Sequence, residues 1–149
     1  MNIEELLLTE GKYVGPTFGV SMLPMLKSGR DSVVIYPKKS RLSIYDVALY
    51  KRGDDYVLHR VIGLTDSGYI IRGDNCYSDE NVSEERVIGV LTEYFKKDKR
   101  IALTDKKYMR YVKRRVKYYP IRRFFVLTKL KIKGFAAKIL GRGKKSEKQ

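Results

Sequence analysis

The feature that most constrains the fold is a series of short β-branched segments separated by turn-forming residues. Five segments have this character: 33–36, 46–51, 56–64, 69–73 and 86–95. Short strands joined by turns at intervals of about ten residues are typical of an antiparallel sheet or barrel. Helical spacing of apolar residues begins only near residue 105. The sequence therefore predicts a mainly β fold, a coiled antiparallel sheet or barrel, followed by α-helices at the C-terminus.

The distribution of charge divides the chain into two parts. Residues 1–95 hold 11 Lys and Arg against 14 Asp and Glu, a net charge of −3. Residues 96–149 hold 21 Lys and Arg against 3 Asp and Glu, a net charge of +18. We predict a β domain over 1–95, a basic amphipathic helical extension over 96–140, and a disordered tail over 141–149.

Composition indicates the compartment and excludes some kinds of site. The first residues, MNIEELLLTE, are acidic, and no segment reaches the roughly 18 apolar residues of a membrane span. We therefore expect that the chain has neither a secretory signal nor a transmembrane anchor, and that the protein is cytoplasmic. Cys76 is the only cysteine, so an intrachain disulfide and a multi-cysteine metal site are excluded. We expect no metal and no cofactor.

A serine lies at the head of an apolar segment, GVSMLPML, at residues 19–26. A solvated loop serine usually has polar neighbours, so Ser21 is a candidate nucleophile. A helix cap or an ordinary loop hydroxyl is an equally good interpretation from composition alone. The choice depends on whether the chain supplies a base.

The one histidine, His59, is the candidate base. In its strand, Val57, His59 and Val61 share one face, and Arg60 lies on the other. A half-buried imidazole on an apolar face favours the neutral form that a general base needs. A buried histidine with a purely structural role is the competing interpretation.

A loop with several acidic residues, GDNCYSDE at 73–80, follows the next strand. The hairpin from His59 through Gly68 brings this loop back beside the histidine strand. The loop begins with Asp74 and contains Asp79 and Glu80, and a carboxylate at the end of the hairpin could accept a hydrogen bond from the imidazole and fix its tautomer. Turn-forming preference alone also explains acidic residues in such a loop.

These segments together resemble a known family. GVSMLPML followed by SGRDSVVIYP is similar to the nucleophile box of the type I signal peptidases and of the self-cleaving repressor peptidases. DVALYKRGDDYVLHRVIG resembles the second box, with the His-Arg pair of the endoplasmic-reticulum and archaeal type at His59 and Arg60. YIIRGDNCYSDE resembles the third box. The resemblance covers residues 13–92.

The resemblance implies a serine endopeptidase with a signal-peptidase fold. By position, Ser21 would be the nucleophile, His59 the general base, and Asp79, or else Asp74, the third member. The residues around the nucleophile, Gly19, Met22 and Pro24, would contact the substrate. Signal peptidases carry an oxyanion hydroxyl where this chain has Gly19. We expect the backbone N–H of Ser21 to be a donor, in an oxyanion hole that is either formed by the backbone alone or completed by another group.

The C-terminal region allows three interpretations. Apolar residues recur at helical spacing from Met109 to Tyr119 and again from Ile121 to Ile139, with Lys and Arg between them, and Pro120 separates the two runs. Such helices suit an anionic membrane surface, which we expect as a partner at the inner membrane face. Packing of the apolar face on the β domain is the second interpretation. Nucleic-acid binding is the third, although no recognised motif supports it.

The expected function is cleavage of a leader or precursor peptide at the cytoplasmic membrane face. Two alternatives remain. One is a catalytically inactive basic adaptor, on the same fold, that binds membrane or nucleic acid. The other is a self-processing protein.

Overall fold

The computed structural model describes residues 2–143, and within this range the backbone forms three helices and eight strands. Their bounds are α1 Ile3–Thr9, β1 Tyr13–Pro16, β2 Asp31–Pro37, β3 Val47–Arg52, β4 Asp55–Thr65, β5 Gly68–Arg72, β6 Glu80–Ser83, β7 Val87–Lys96, β8 Lys99–Ala102, α2 Lys106–Lys117 and α3 Tyr119–Gly143, with a 3₁₀ turn at Glu84–Arg86. Residues 144–149, which belong to the predicted tail, lie outside the described residues. The chain forms two compact units, Met1–Lys113 and Arg114–Gln149.

The strands of the first unit form one antiparallel sheet. Their order is β1-β2-β7-β3-β4-β5-β6. Strand β8 pairs with residues 93–96 of β7, on the edge where β3 pairs with residues 87–90. The sheet curls into a half-barrel, and strand residues outnumber helical ones, at 38% against 29%. The predicted mainly β fold with C-terminal helices is therefore confirmed at this level.

The five predicted strands correspond to β2, β3, β4, β5 and β7. Three strands of four residues each were not predicted, namely β1, β6 and β8. Their sequences, YVGP, ENVS and KRIA, contain proline, glycine or charged residues that lower local strand propensity. Strands β1 and β6 lie at the two ends of the sheet order, and such short strands exist because a longer neighbour offers free backbone groups.

The core of the sheet includes the histidine face of β4. Val57, His59 and Val61 are all buried, as the alternation of β4 predicts. They share the face with Tyr50 of β3, which is fully buried. The burial of the opposite face of β4 was not expected, since this face carries the charged Arg60, which is only 1% exposed. A buried guanidinium requires partners, and these define much of the site described below.

Helices α2 and α3 meet at Tyr118. Pro120 lies in the first turn of α3, where its missing N–H removes no helical hydrogen bond. In the first unit, Tyr108 and Val112 of α2 are buried. Among the α3 side chains that the structure describes, by contrast, large apolar ones are exposed, with Phe124, Phe125 and Phe135 each about two-thirds accessible. None of the helices within residues 2–143 is both long enough and apolar enough to cross a bilayer.

Candidate active site

Ser21 lies at the start of a turn, residues 21–25, in the connection between β1 and β2. The apolar residues that follow it explain the unusual composition of this loop. Met22, Met25 and Leu26 are buried, and the backbone N–H of Leu26 donates to the carbonyl of Met22 at 3.0 Å. Ser21 itself is half-buried. The apolar segment therefore anchors the turn and keeps its serine near the surface.

The three predicted substrate contacts have different environments. Gly19 and Pro24 are exposed, whereas Met22 is buried and supports the turn from below. Gly19 has a φ of +83°, a conformation that residues with a Cβ rarely adopt. A glycine at this position therefore lets the chain enter the turn that carries Ser21.

His59 on β4 is buried, and this burial lowers the pKa of its imidazole below the ordinary value. The nearby carboxylate of Glu80 acts in the opposite direction, and the guanidinium of Arg52 adds to the lowering. The net direction is downward. At neutral pH the imidazole is therefore uncharged, as a general base must be.

The Nδ1 side of His59 faces Tyr50 and Glu80. The Tyr50 hydroxyl lies 3.1 Å from Nδ1 and donates to Oε2 of Glu80 at 3.0 Å. The other carboxylate oxygen, Oε1, lies 3.7 Å from Nδ1 and accepts a hydrogen bond of 2.9 Å from Arg52. Burial and the bond to Glu80 raise the pKa of Tyr50, so its hydroxyl keeps its proton.

This arrangement determines the tautomer of the histidine. A carboxylate only accepts hydrogen bonds, so the single hydroxyl proton of Tyr50 goes to Glu80. The Tyr50 oxygen must then accept from Nδ1–H of His59. The neutral imidazole consequently carries its proton on Nδ1 and leaves the lone pair of Nε2 available.

The Nε2 side of His59 faces Gly73, at the end of the β5 hairpin. A Cβ on Gly73 would lie 3.0 Å from Nε2 of His59 and 2.7 Å from the carbonyl oxygen of Ser21. It would also lie 2.7 Å from the sulfur of Cys76. Because these three groups converge on one point, the position has no room for a side chain. The absence of a side chain brings the backbone of Ser21 and the imidazole of His59 together.

Asn75 joins the loop after Gly73 to the turn that carries Ser21. Its backbone N–H donates to the carbonyl of Ser21 at 2.7 Å, and its side-chain amide donates to the carbonyl of Val20 at 3.2 Å. The consecutive carbonyls of Val20 and Ser21 thus both accept hydrogen bonds from one residue. The asparagine of the Gly-Asp-Asn turn was not predicted as a site residue.

The two predicted carboxylates contact arginines. Asp74 is buried and accepts two hydrogen bonds of 2.8 Å from Arg60. Asp79 has a side chain that is 48% exposed and forms an ion pair of 3.1 Å with Arg72. The carboxylate at Nδ1 of His59 is that of Glu80, the acidic neighbour of Asp79. Sequence spacing could not distinguish adjacent acids, because Glu80 begins strand β6 and its pairing with Ile71 directs the side chain.

Cys76 is half-buried beside the same glycine. Burial raises the pKa of its thiol, which favours the protonated and less nucleophilic form at neutral pH. Among residues 2–143, His, Cys, Asp and Glu side chains do not gather in any group of three or more that could hold a metal ion.

The sequence was also compared with known proteins. Neither any family model nor any curated protein matches the chain.

Proposed function

We propose that the chain is a serine endopeptidase of the signal-peptidase type, with Ser21 as nucleophile and His59 as general base. The observation that carries the proposal is the state of His59. Its Nδ1 is engaged by Tyr50, while Nε2 faces the same glycine as the backbone of Ser21. A neutral imidazole whose Nε2 lies on the side of the Ser21 backbone supports the proposal, because nucleophilic catalysis by serine requires a neutral base beside the serine.

In the proposed reaction, Nε2 of His59 takes the proton of the Ser21 hydroxyl as its oxygen attacks a peptide carbonyl. The imidazolium then returns this proton to the leaving amine, and an acyl-serine remains until water hydrolyses it by the reverse sequence. The backbone N–H of Ser21 is the proposed donor to the oxyanion, since Gly19 offers no hydroxyl.

We propose Glu80, in place of Asp79 or Asp74, as the carboxylate of this site. It acts on the histidine largely through Tyr50, whose hydroxyl bridges the two groups. When His59 becomes charged, the negative charge of Glu80 stabilises the imidazolium across 3.7 Å. Asp79 is engaged with Arg72 and Asp74 with Arg60, so both carboxylates have cationic partners of their own.

The proposed substrate is a leader or precursor peptide processed at the cytoplasmic face of a membrane. Helix α3 supports the membrane part of this proposal. Its exposed residues Ile121, Phe124, Phe125, Ile132 and Phe135 fall within an arc of about 100° at the helical period. Basic residues border this arc, with Arg122, Lys129 and Lys133 on one side and Lys131 on the other. Apolar residues bordered by lysine and arginine favour an anionic lipid surface.

The catalytic proposal is tested with a mixture of synthetic peptides of randomised sequence, with new fragments detected by mass spectrometry. Ser21→Ala and His59→Ala should each lower the rate of fragment formation by about 10⁴-fold or more, because each removes a reacting group. Ser28→Ala is the matched control, since Ser28 is an exposed serine of the same loop, and it should cleave as the unmodified chain does.

Cleavage by either variant at near the unmodified rate would refute the Ser-His pair. If the unmodified chain itself produced no fragments, the competing function, an inactive adaptor on the same fold, would be favoured. Cleavage of the chain itself, abolished by Ser21→Ala, would favour self-processing.

A further inference from the structure

The first two turns of helix α2 direct two tyrosines toward the buried charges of the first unit. Tyr108 is buried and Tyr111 is half-buried, and Val112, one helical turn from Tyr108, is fully buried. Residues spaced by three and four positions share one face of a helix. This face of α2 is therefore part of the β unit, although the sequence assigned α2 to a separate extension.

Arg60 is the first group that this face reaches. Its guanidinium has five N–H bonds, and each has a partner within hydrogen-bond distance. Nε and Nη2 donate to Asp74, and Nη2 also approaches the sulfur of Met25 at 3.2 Å. Nη1 donates to the carbonyl of Tyr45 at 3.0 Å and to the Tyr108 hydroxyl at 2.8 Å. The Tyr108 oxygen thus completes the coordination of a buried cation.

Asp74 is the second group. Its Oδ2 accepts from Nη2 of Arg60 at 2.8 Å and from the hydroxyl of Tyr111 at 2.9 Å. Tyr111 therefore holds the same carboxylate that Arg60 holds, from the helix side. Hydrogen bonds to an ionised carboxylate are among the stronger ones in proteins.

The Arg60–Asp74 pair adjoins the nucleophile at two points. Asn75 directly follows Asp74 and holds the carbonyls of Ser21 and Val20. Met25, against which Arg60 lies, belongs to the turn that begins with Ser21. A displacement of Asp74 would therefore move the residue that fixes the backbone of the nucleophile.

We propose that Tyr108 and Tyr111 of helix α2 are positioning residues of the active site. They hold Arg60 and Asp74, and through Asn75 they fix the backbone of Ser21 relative to His59. This inference rests on the proposed function for its catalytic consequence, but the restraint on the backbone is independent of catalysis. It makes α2 part of the catalytic apparatus.

The test uses Tyr108→Phe and Tyr111→Phe in the full chain, because each removes one hydroxyl and keeps the ring. Tyr118→Phe is the control, since it makes the same change on a ring that is 48% exposed. Loss of a hydrogen bond to a charged group should lower kcat by about tenfold, with KM changed less than about twofold. Tyr118→Phe should leave both constants unchanged.

A second measurement separates positioning from a general loss of stability. Hydrogen exchange of the Asn75 amide, which donates to Ser21, should accelerate by about tenfold in both variants. The amides of Val47 and Val61 in the sheet should keep their rates. Equal acceleration at all three amides, or an unchanged Asn75 amide, would overturn the proposal even if kcat fell.

The two proposals can fail separately. Exchange of the Asn75 amide is measured without substrate, so a chain that cleaves no peptide would refute the proposed function and still decide whether the tyrosines restrain the loop. If Tyr108→Phe does not fold, because it leaves an N–H of Arg60 buried without an acceptor, Tyr111→Phe decides the question alone. An active Tyr111→Phe variant with unchanged kcat would overturn the catalytic part.

Discussion

The two compact units of this chain differ in what they bury. In the first unit, buried charged and polar residues form hydrogen-bonded pairs, namely Arg60 with Asp74 and His59 with Tyr50. In helix α3 of the second unit, large apolar residues such as Phe125 and Phe135 are exposed. Burying a charged side chain costs free energy unless other groups pair with it. The first unit therefore contains specific hydrogen-bonding partners that a purely apolar core would not need. Exposing several phenylalanines together points instead to an interaction surface.

The boundary between these two behaviours lies within helix α2. Tyr108 and Tyr111 contact buried charges, and both precede the end of the first unit at Lys113. The packing interpretation of the C-terminal region thus holds for the first half of α2. The membrane interpretation remains a proposal for α3. One basic region contains two helices that differ in burial, and a count of its charges does not separate them.

The largest expected effect comes from shortening the chain at two places. A chain ending at Lys117 keeps α2 whole and should retain peptide cleavage and its melting temperature. A chain ending at Asp105 loses the burial of Tyr108 and Val112, which is worth roughly 1.5–3 kcal/mol for each side chain, and leaves Arg60 and Asp74 open to water. It should be unfolded or inactive, as measured by thermal melting and fragment formation. If a chain ending at Asp105 were fully active, α2 would not be part of the β unit and would belong to the separate helical extension that the sequence predicted.

The next effect concerns the carboxylates of the first unit. Glu80→Gln should lower kcat by at least about 10²-fold. The new amide can donate to the Tyr50 oxygen, so the Tyr50 proton turns to Nδ1 and the imidazole proton moves to Nε2, where it blocks the base. Asp79→Asn is the matched control and should change kcat by less than about twofold, because its exposed pair with Arg72 is worth little.

Steady-state kinetics of both variants decide between the acids. A large loss in Asp79→Asn together with a normal Glu80→Gln would restore Asp79 as the third member.

A smaller effect is expected at helix α3. Phe125→Ser should weaken binding to vesicles of mixed phosphatidylglycerol and phosphatidylcholine by about tenfold, since it removes one apolar side chain from the lipid interface. Leu130→Ser is the control, because Leu130 is also exposed but lies on the opposite side of the helix from the arc around Ile121. Co-sedimentation with vesicles measures both.

Salt sharpens this test. Binding should weaken as ionic strength rises to 0.15 M, where the Debye length is about 8 Å, and part of it should persist because the phenylalanines are inserted. If Phe125→Ser and Leu130→Ser weakened vesicle binding equally, the apolar arc would not be the surface that contacts lipid. If the chain bound RNA or DNA tightly and did not bind anionic vesicles, the partner of α3 would be nucleic acid and not a membrane.

The smallest effect is the dependence on pH. Burial lowers the pKa of His59 in the chain without substrate, so kcat/KM should reach half its maximum below the ordinary histidine pKa of about 6.5. The unfolded chain takes up the proton first as the pH falls. The free energy of unfolding is therefore highest above about pH 6.5 and declines as the pH falls toward the pKa of the folded state, by at most about 1.4 kcal/mol per pH unit.

In urea titrations between pH 5 and 7, the free energy of unfolding of His59→Gln should not show the part of the decline with falling pH that is due to His59. A kcat/KM that rises only near pH 9 would point to another base. Lys51 is unsuited to that role, because its ion pair with Glu4 raises the pKa of its ammonium group.

Local sequence determined the features whose cause is local. The five longer strands follow from β-branched segments between turns, and the burial of Val57, His59 and Val61 follows from alternation along β4. The position of the break near Pro120 also follows from one residue. These features need no knowledge of which elements become neighbours.

Tertiary structure alone decided the partners of the charged residues. Asp74, Asp79 and Glu80 are close in sequence, yet each pairs with a different group, because β6 pairs with β5 and α2 packs near Arg60. Tyr50 joined the site from β3, the strand paired with that of His59, and Tyr111 joined it from a helix distant in the chain. A hydrogen bond requires atoms about 3 Å apart, and that separation depends on strand register and helix packing, which residue types and spacing do not encode locally.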